Sequence, residues 1–336
     1  MNCRFMGRTG LKVAEICLGT QTFGWGADEA RAHALADRYV DAGGNFFDTS
    51  NIYNKGESER MLGAWLASRG SRARQVIATK VFFPTGEGPN DTGLSRKHIF
   101  EQIDASLRRL QTDYVDLYQM HCFDASTPLE ETLRALDDLV RAGKVRYLGA
   151  SNYTPSQLTR AIMLSQMRGW IRFDCLQAEY SLLVRSTEWE LVPLCQSEGI
   201  GLICWSPLAG GWLSGKYSRG EAPPPESRVG RADRWDDLPE QRETKRTWRI
   251  VDALREVAQA RGVTPPQAAL NWLLQQPGVT APIIGARTVT QLEENLGSSG
   301  WALGAEELTQ LDAASEIPLP SPYNFVARYT RRRDAP

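Results

Sequence analysis

Four residues whose side chains can hold or move a proton lie at or just beyond the ends of short apolar runs. Asp48 ends Asn45-Phe-Phe-Asp, Lys80 ends Val76-Ile-Ala-Thr-Lys, His121 ends Val115-Asp-Leu-Tyr-Gln-Met-His, and Tyr53 follows Asp48 by five residues. One polar residue after a strand is usually a turn former or helix cap, and Asp48 taken alone reads that way. A lysine, an aspartate and a histidine all closing apolar runs read differently, because each is costly to bury unpaired. A phenol has an unperturbed pKa of about 10. A neighbouring ammonium favours its phenolate, and an aspartate paired to that ammonium keeps it charged and aimed. Brought together, these groups let Tyr53 donate a proton to a carbonyl oxygen as it becomes an alkoxide, with His121 hydrogen-bonding and orienting the same oxygen.

That chemistry lacks only a hydride, and the end of the chain suggests where its donor would bind. Ser206-Pro-Leu-Ala-Gly-Gly-Trp-Leu-Ser-Gly-Lys-Tyr opens a Gly- and Pro-rich loop that reaches Arg228. Its glycines let backbone amides approach phosphate, with Lys216 and Arg228 as charge partners. Further on, Gly285-Ala-Arg-Thr precedes a helix that Thr290 and Glu293 can start as a capping box, and anions favour such a helix start. Arg287 reads equally as an ordinary surface arginine or as a guanidinium that grips a 2′-phosphate or stacks on adenine. The length of the preceding loop favours the ligand reading.

These residues must be positioned by strands and helices that alternate along nearly the whole chain. Strands are expected at 15–18, 45–49, 76–80, 115–121, 146–151, 175–179, 201–206 and 280–285. Helices are expected at 28–42, 95–110, 132–140, 155–167, 188–196, 247–260, 265–275, 290–296 and 305–314, and from a cap at Ser58 to Leu66. The pattern predicts an α/β fold of one domain over 1–336, a (β/α)8 or TIM barrel with an N-terminal β-hairpin over Arg4–Val13 and long loops at its C-terminal face. In such a barrel the site forms where strands end, which adds Ser151, Asn152, Gln177 and Ser206 to the residues above. No G-x-G-x-x-G follows any strand, and Gly19-Thr-Gln-Thr-Phe-Gly-Trp-Gly has its glycines at other spacings.

Composition narrows the partners. The 336 residues carry 39 basic and 40 acidic side chains, a net charge of −1, which argues against a nucleic-acid partner. No apolar stretch approaches the roughly 20 residues of a membrane helix. The charged N-terminus is unlike a signal peptide, so a soluble, cytoplasmic protein is expected. Six cysteines at 3, 17, 122, 175, 195 and 204 lack metal-ligand spacing and read as free, mostly core thiols. With three histidines, no H-E-x-x-H and no G-x-S-x-G, no metal site or serine hydrolase is expected.

The segments Phe47-Asp-Thr-Ser-Asn-Ile-Tyr, Gly56-Glu-Ser-Glu, Ala78-Thr-Lys, Asp116-Leu-Tyr-Gln-Met-His, Gly149-Ala-Ser-Asn, Gln177-Ala-Glu-Tyr-Ser, Trp205-Ser-Pro-Leu-Ala-Gly-Gly and Ile284-Gly-Ala-Arg together form a specific combination. With it, the chain resembles the aldo-keto reductases over essentially its whole length, in the branch of bacterial general-stress-type reductases and potassium-channel β-subunits. The resemblance implies a barrel that binds a nicotinamide dinucleotide, usually NADPH/NADP+ with NADH also open, and that reversibly reduces aldehydes or ketones. It makes Tyr53 the proton donor, with Asp48 and Lys80 tuning it and His121 placing the carbonyl. It assigns Ser151, Asn152 and Gln177 to the carboxamide, and the Trp205–Ser206 turn with Pro207 to the ring. Leu208, Gly210, Lys216 and Arg228 are assigned to the pyrophosphate, and Gly285, Arg287, Gln291, Glu294 and Asn295 to the adenosine end. Gly19, Thr20 and Asp48 join the cofactor set. Trp205 stands where many members carry a stacking tyrosine.

Two other readings compete. A Schiff-base aldolase would use Lys80 as nucleophile, which an ion pair to Asp48 disfavours. A nicotinamide-binding sensor or partner subunit with slow turnover would keep the same residues. Trp25, Phe82, Phe83 and Phe123 follow strand ends as candidate walls for a small carbonyl or alcohol substrate, or as packing. The Pro-rich tail from Pro318 either crosses the barrel mouth or rests on its side. Substrate identity, reaction direction and oligomeric state are not legible in the sequence.

Overall fold

The computed structural model describes residues 1–225, 227, 230 and 242–333. Two short strands, β1 (Cys3–Phe5) and β2 (Lys12–Ala14), pair as an antiparallel hairpin. Eight parallel strands then close into a barrel in chain order, with the last pairing to the first. They are β3 (Cys17–Gly19), β4 (Phe46–Asp48), β5 (Val76–Val81), β6 (Val115–Met120), β7 (Val145–Ser151), β8 (Cys175–Glu179), β9 (Gly201–Trp205) and β10 (Val279–Ile284). The helices are α1 (Glu29–Asp41), α2 (Glu57–Arg69), α3 (Arg96–Leu110), α4 (Leu129–Arg141), α5 (Pro155–Arg168), α6 (Leu191–Glu198), α7 (Lys245–Arg261), α8 (Pro265–Leu274), α9 (Val289–Leu296), α10 (Ala305–Ser315) and α11 (Tyr323–Arg333). No helix among the described residues is long and apolar enough to cross a membrane.

The expected barrel and hairpin are present, and the differences are local. β3 starts at Cys17 because Glu15 is engaged in an ion pair with Arg4 at 3.3 Å. Ser58 does not cap α2. Gly56 in the left-handed conformation holds that position, and Ser58 lies buried inside the first turn. The cap of α9 is Thr288, whose side chain accepts from the Gln291 N–H, so Thr290 and Glu293 form no capping box. Glu293 instead pairs with Arg38 at 2.7 Å. The helix expected at 188–196 begins later, at Leu191, because Glu188 ends a 3-10 turn (Ser186–Glu188) before α6. The tail contains α11, and Tyr323 at its start stacks on Trp189 with ring centroids 6.2 Å apart.

Strand parity explains how this barrel sets its chemistry. Alternate residues of a strand face the same side. Cys17, Phe46, Val76, Ala78, Leu117, Cys175, Ile203 and Ala281 form one apolar cluster with Met6 and Val13 of the hairpin. That cluster is the barrel interior. Arg4 donates to the Val279 carbonyl at 2.9 Å and the Arg8 N–H to Gly199 at 2.8 Å, which fastens the hairpin to the amino-terminal end. Two residues beyond the interior side chains, on the same face, come Asp48 after Phe46, Lys80 after Ala78, Gln119 after Leu117, Gln177 after Cys175 and Trp205 after Ile203. A polar layer therefore caps an apolar one by the period of the strands alone.

Outside the barrel, α3 turns Ile99, Ile103 and Leu107 inward and α4 turns Leu133 and Leu136 inward, as their spacing requires. Gly63 lets α2 approach the end of α3. A Cβ at that position would lie 2.3 Å from the Arg109 carbonyl oxygen and 2.7 Å from the Leu110 backbone. Gly63→Ala should therefore lower unfolding free energy by about 1–3 kcal/mol in urea denaturation through overpacking, despite the roughly 0.5–1 kcal/mol that alanine contributes to a helix interior. Unchanged or increased stability would show that the helices separate without cost.

Candidate active site

The polar layer is centred on a fully buried lysine. Lys80 Nζ donates to Asp48 Oδ2 at 2.6 Å, to the Thr49 carbonyl at 2.8 Å and to Tyr53 Oη at 3.2 Å. The Lys80 and Asp48 side chains are 0% and 2% exposed. Burial alone pushes the Lys80 amine down, but the Asp48 charge, with a smaller share from Tyr53, outweighs it and holds the ammonium above its ordinary range. The second oxygen of Asp48 accepts from Gln119 Nε2 and Gln177 Nε2, each at 2.9 Å. Asp48, Lys80, Gln119 and Gln177 come from four different strands, so the layer exists only in the barrel.

His121 closes the group on the side of β6. Its N–H donates to the Val81 carbonyl at 2.9 Å, and its carbonyl accepts from Asn152 Nδ2 at 2.9 Å. The ring stands edge-on to Tyr53 with centroids 6.0 Å apart, and Nδ1 lies 3.3 Å from Ser50 Oγ. Burial first, then the nearby Lys80 charge, hold the imidazole pKa well below its ordinary value. The ring is neutral at physiological pH.

Tyr53 is placed by an unusual turn. Asn54 and Lys55 both have left-handed backbones, with φ of 50° and 56°. Asn54 Nδ2 donates to the Gln21 carbonyl at 3.1 Å and also to that of Phe23, tying the turn to the loop after β3. Among the described residues six non-glycine positions have positive φ, and five of them, Asn54, Lys55, Asn152, Ser206 and Ala209, follow strand ends at the carboxyl rim. Such conformations cost about 1–3 kcal/mol each and persist where the surroundings over-determine them, often at functional sites.

The residues expected at a cofactor are distributed along this rim. Ser151 is buried and pairs in register with Gln177. The Asn152 N–H donates to the Gln177 carbonyl at 3.4 Å. Trp205 ends β9, and its buried indole Nε1 has no hydrogen-bond partner among the described residues. Pro207 is buried beside it, and Leu208 begins the turn through Gly210 and Gly211, both at positive φ. A Cβ on Gly211 would lie 2.4 Å from Lys216 Nζ, so the ammonium rests directly over this turn. Arg228 lies outside the described residues. Gly285 is exposed after β10, and the Arg287 N–H donates to Gln291 Oε1 at 3.0 Å. The Arg287 stem lies flat on Gly26, where a Cβ would meet its Cδ at 2.6 Å. Glu294 is half-buried and Asn295 buried on α9. Gly19 and Thr20 also make contacts within the barrel. Gly19 admits the close approach of Ile283, and Thr20 shares a buried hydroxyl cluster with Ser58 and donates its N–H to the Asp48 carbonyl at 2.9 Å.

Of the four aromatic wall candidates, Phe83 reaches the polar group, edge-on to His121 at 4.8 Å and to Phe82 at 5.3 Å. Phe82 and Phe123 pack against the outer core, and Phe123 faces Tyr153 at 5.2 Å. Trp25 is half-buried in the loop next to Gly26. The sequence reading passed over Gln119, Ser50 and the Thr49 carbonyl. Gln119 had a signal: a polar residue two places after Leu117 in an apolar strand, two positions short of the run's end.

Comparison with known proteins agrees with this geometry. The model of the Aldo/keto reductase family matches residues 15–316. The chain is 39% identical over 321 residues to the uncharacterized oxidoreductase YrpG of Bacillus subtilis (strain 168), covering 93% of this chain and 95% of that one. It is 38% identical to a probable voltage-gated potassium channel subunit beta of Oryza sativa subsp. japonica, covering 88% and 90%. It is 32% identical to norsolorinic acid reductase of Aspergillus flavus, covering 94% and 81%. A closed barrel, a lysine shared between Asp48 and Tyr53 at its rim, and a family match across nearly its whole length together show that this chain belongs to the aldo/keto reductase family of oxidoreductases.

Proposed function

We propose that the protein reduces an aldehyde or ketone to the alcohol, reversibly, with NADPH as the hydride source and Tyr53 as the proton donor. The observation that carries this is the placement of Lys80 Nζ, within hydrogen-bond reach of both Asp48 Oδ2 and Tyr53 Oη. As Tyr53 releases its proton, the growing charge on its oxygen meets an ammonium that Asp48 keeps in place. A neutral His121 with its proton on Nε2 can donate to the substrate oxygen, the tautomer in which Nδ1, 3.3 Å from Ser50 Oγ, is an acceptor. Phe83 beside His121 makes one wall apolar.

The rim residues fit a nicotinamide dinucleotide. Trp205 offers an indole face and an unpartnered Nε1, the Gly210–Gly211 turn with Lys216 offers amides and charge for a pyrophosphate, and Arg287 beside the Thr288-capped start of α9 suits a 2′-phosphate. Ser151, Asn152 and Gln177 would hold the carboxamide, and Gln291, Glu294 and Asn295 the adenosine end. When bound, the dihydronicotinamide supplies the hydride. Small carbonyl compounds are the partners this reading implies.

Tyr53→Phe removes the donor and leaves the remaining binding groups, so kcat for carbonyl reduction should fall by about 10²–10⁴-fold, followed by nicotinamide absorbance, with the cofactor Kd unchanged. Retained turnover would reassign the donor. Arg287→Ala should weaken NADPH by roughly ten- to a hundredfold, the value of one charge-assisted hydrogen bond, and NADH much less. Equal losses would point to adenine stacking. For His121, nitrogen NMR should find a neutral ring at about pH 6, half a unit below the ordinary histidine value. Because the unfolded chain takes up that proton below its ordinary value of 6.5 and the folded chain does not, stability should decline as pH falls below it. A charged His121 ring at that pH would remove it from this role.

A further inference from the structure

The hydrogen bonds of Gln119 and Gln177 have directions that Asp48 dictates. A carboxylate only accepts, so the glutamine atoms 2.9 Å from Asp48 Oδ1 are both amide nitrogens. That places Gln119 Oε1 toward Gln177 Nε2, 3.0 Å away. Gln177 then spends one N–H on Asp48 and the other on Gln119, and among the described residues nothing donates to its Oε1. The open position on Gln177 is therefore an acceptor. Gly149 makes room for this arrangement, since a Cβ there would lie 2.9 Å from Gln119 Cγ. The Gln177 backbone is tied to the same rim through its register with Ser151 and its carbonyl bond from the Asn152 N–H.

We propose that Gln119 and Gln177 form an amide relay through which a primary carboxamide, donating to Gln177 Oε1, draws Asp48 toward the two amides and leaves more of the Lys80 charge to act on Tyr53, with Gln119 as a positioning residue. This rests on the nicotinamide reading above and adds to it a coupling between the bound carboxamide and the proton donor. A donor at Oε1 polarises the Gln177 amide and strengthens its N–H bonds, as in any hydrogen-bonded chain in a low-dielectric interior. Asp48 Oδ1 is then better satisfied, less of the Lys80 charge is neutralised, and more of it acts on the Tyr53 oxygen. Gln119 contributes by holding Gln177 in the one orientation that leaves an acceptor outward. Among the described residues, Lys80 from β5, Asp48 from β4 and His121 after β6 are titratable groups set against Tyr53, while burial raises the pKa of the Cys17 thiol beneath them.

The test compares oxidised NADP+ with its 3-acetylpyridine analogue, which has the same charge and no carboxamide N–H. The probe is the ring-carbon resonance of labelled tyrosine that is absent from Tyr53→Phe, titrated with each dinucleotide bound to the full chain. In the wild type, Tyr53 should titrate at lower pH with NADP+ than with the analogue. In Gln119→Met, which keeps the side-chain volume, the two midpoints should coincide, while thermal melts confirm the fold and fluorescence titration confirms that both dinucleotides bind. Coincident midpoints in the wild type, or an undiminished difference in Gln119→Met, would overturn the relay and leave the proposed function standing. Failure of either dinucleotide to bind the wild type would overturn the proposed function and the relay together.

Discussion

Everything at the barrel rim depends on an ammonium with no contact with solvent. Lys80 has three N–H donors, and Asp48 Oδ2, the Thr49 carbonyl and Tyr53 Oη are three acceptors within 3.2 Å. Desolvating such an ion costs several kcal/mol, and removing one partner of a buried pair typically costs about 3–5 kcal/mol. The pair is therefore a requirement on the fold as much as a feature of the site. A slip of β4 or β5 by one residue would turn Asp48 or Lys80 out of the barrel and leave the other charge alone. The apolar interior beneath, from Cys17 to Ala281, fixes that register on seven of the eight strands.

The rim above this rigid layer is built on other terms. Its backbone carries the left-handed residues Asn54, Lys55, Asn152, Ser206 and Ala209, and its loops are held by side-chain amides instead of strand pairing. Asn54 links the Tyr53 turn to the loop after β3, and Gly26 in that loop supports the Arg287 stem. A continuous set of contacts thus joins the Tyr53 turn to the far end of the rim. Strain is tolerated there because the strands below are already fixed.

Much of this was legible in the sequence because the barrel repeats one rule. Eight apolar runs separated by helical spacings specify the strands, and parity along each run specifies which residues enter the barrel. Asp48, Lys80, His121 and Gln177 were visible as polar residues closing such runs. Gln119 was missed because Met120 and His121 follow it, so that it does not close its run, although parity with Leu117 places it inside. The helix starts were misread where a side chain had a stronger use elsewhere. Ser58 is recruited to the buried hydroxyls of Thr20 and Thr49, and Glu293 to Arg38 across the surface. Such claims come from residues far away in the chain, which local patterns do not contain. The roles of Thr49 and Ser50 were illegible for a different reason, since a backbone carbonyl has no residue type to read and a hydroxyl at 3.3 Å from a ring nitrogen is a matter of packing.

The environment of Lys80 also bears on which chemistry a barrel lysine can perform. A strand-end lysine can attack a carbonyl only as a free amine, which calls for a site that lowers its pKa, by apolar burial or a neighbouring cation. Burial is present here, but the Asp48 carboxylate reverses its effect, and the net displacement of the amine is upward. The same desolvation that would release a lone lysine for Schiff-base formation strengthens its attraction to Asp48, since both charges share the low-dielectric interior. With its three donors committed, Lys80 has no lone pair to offer. What it can offer is a fixed positive charge beside a phenol, and that is the property a proton donor at Tyr53 requires.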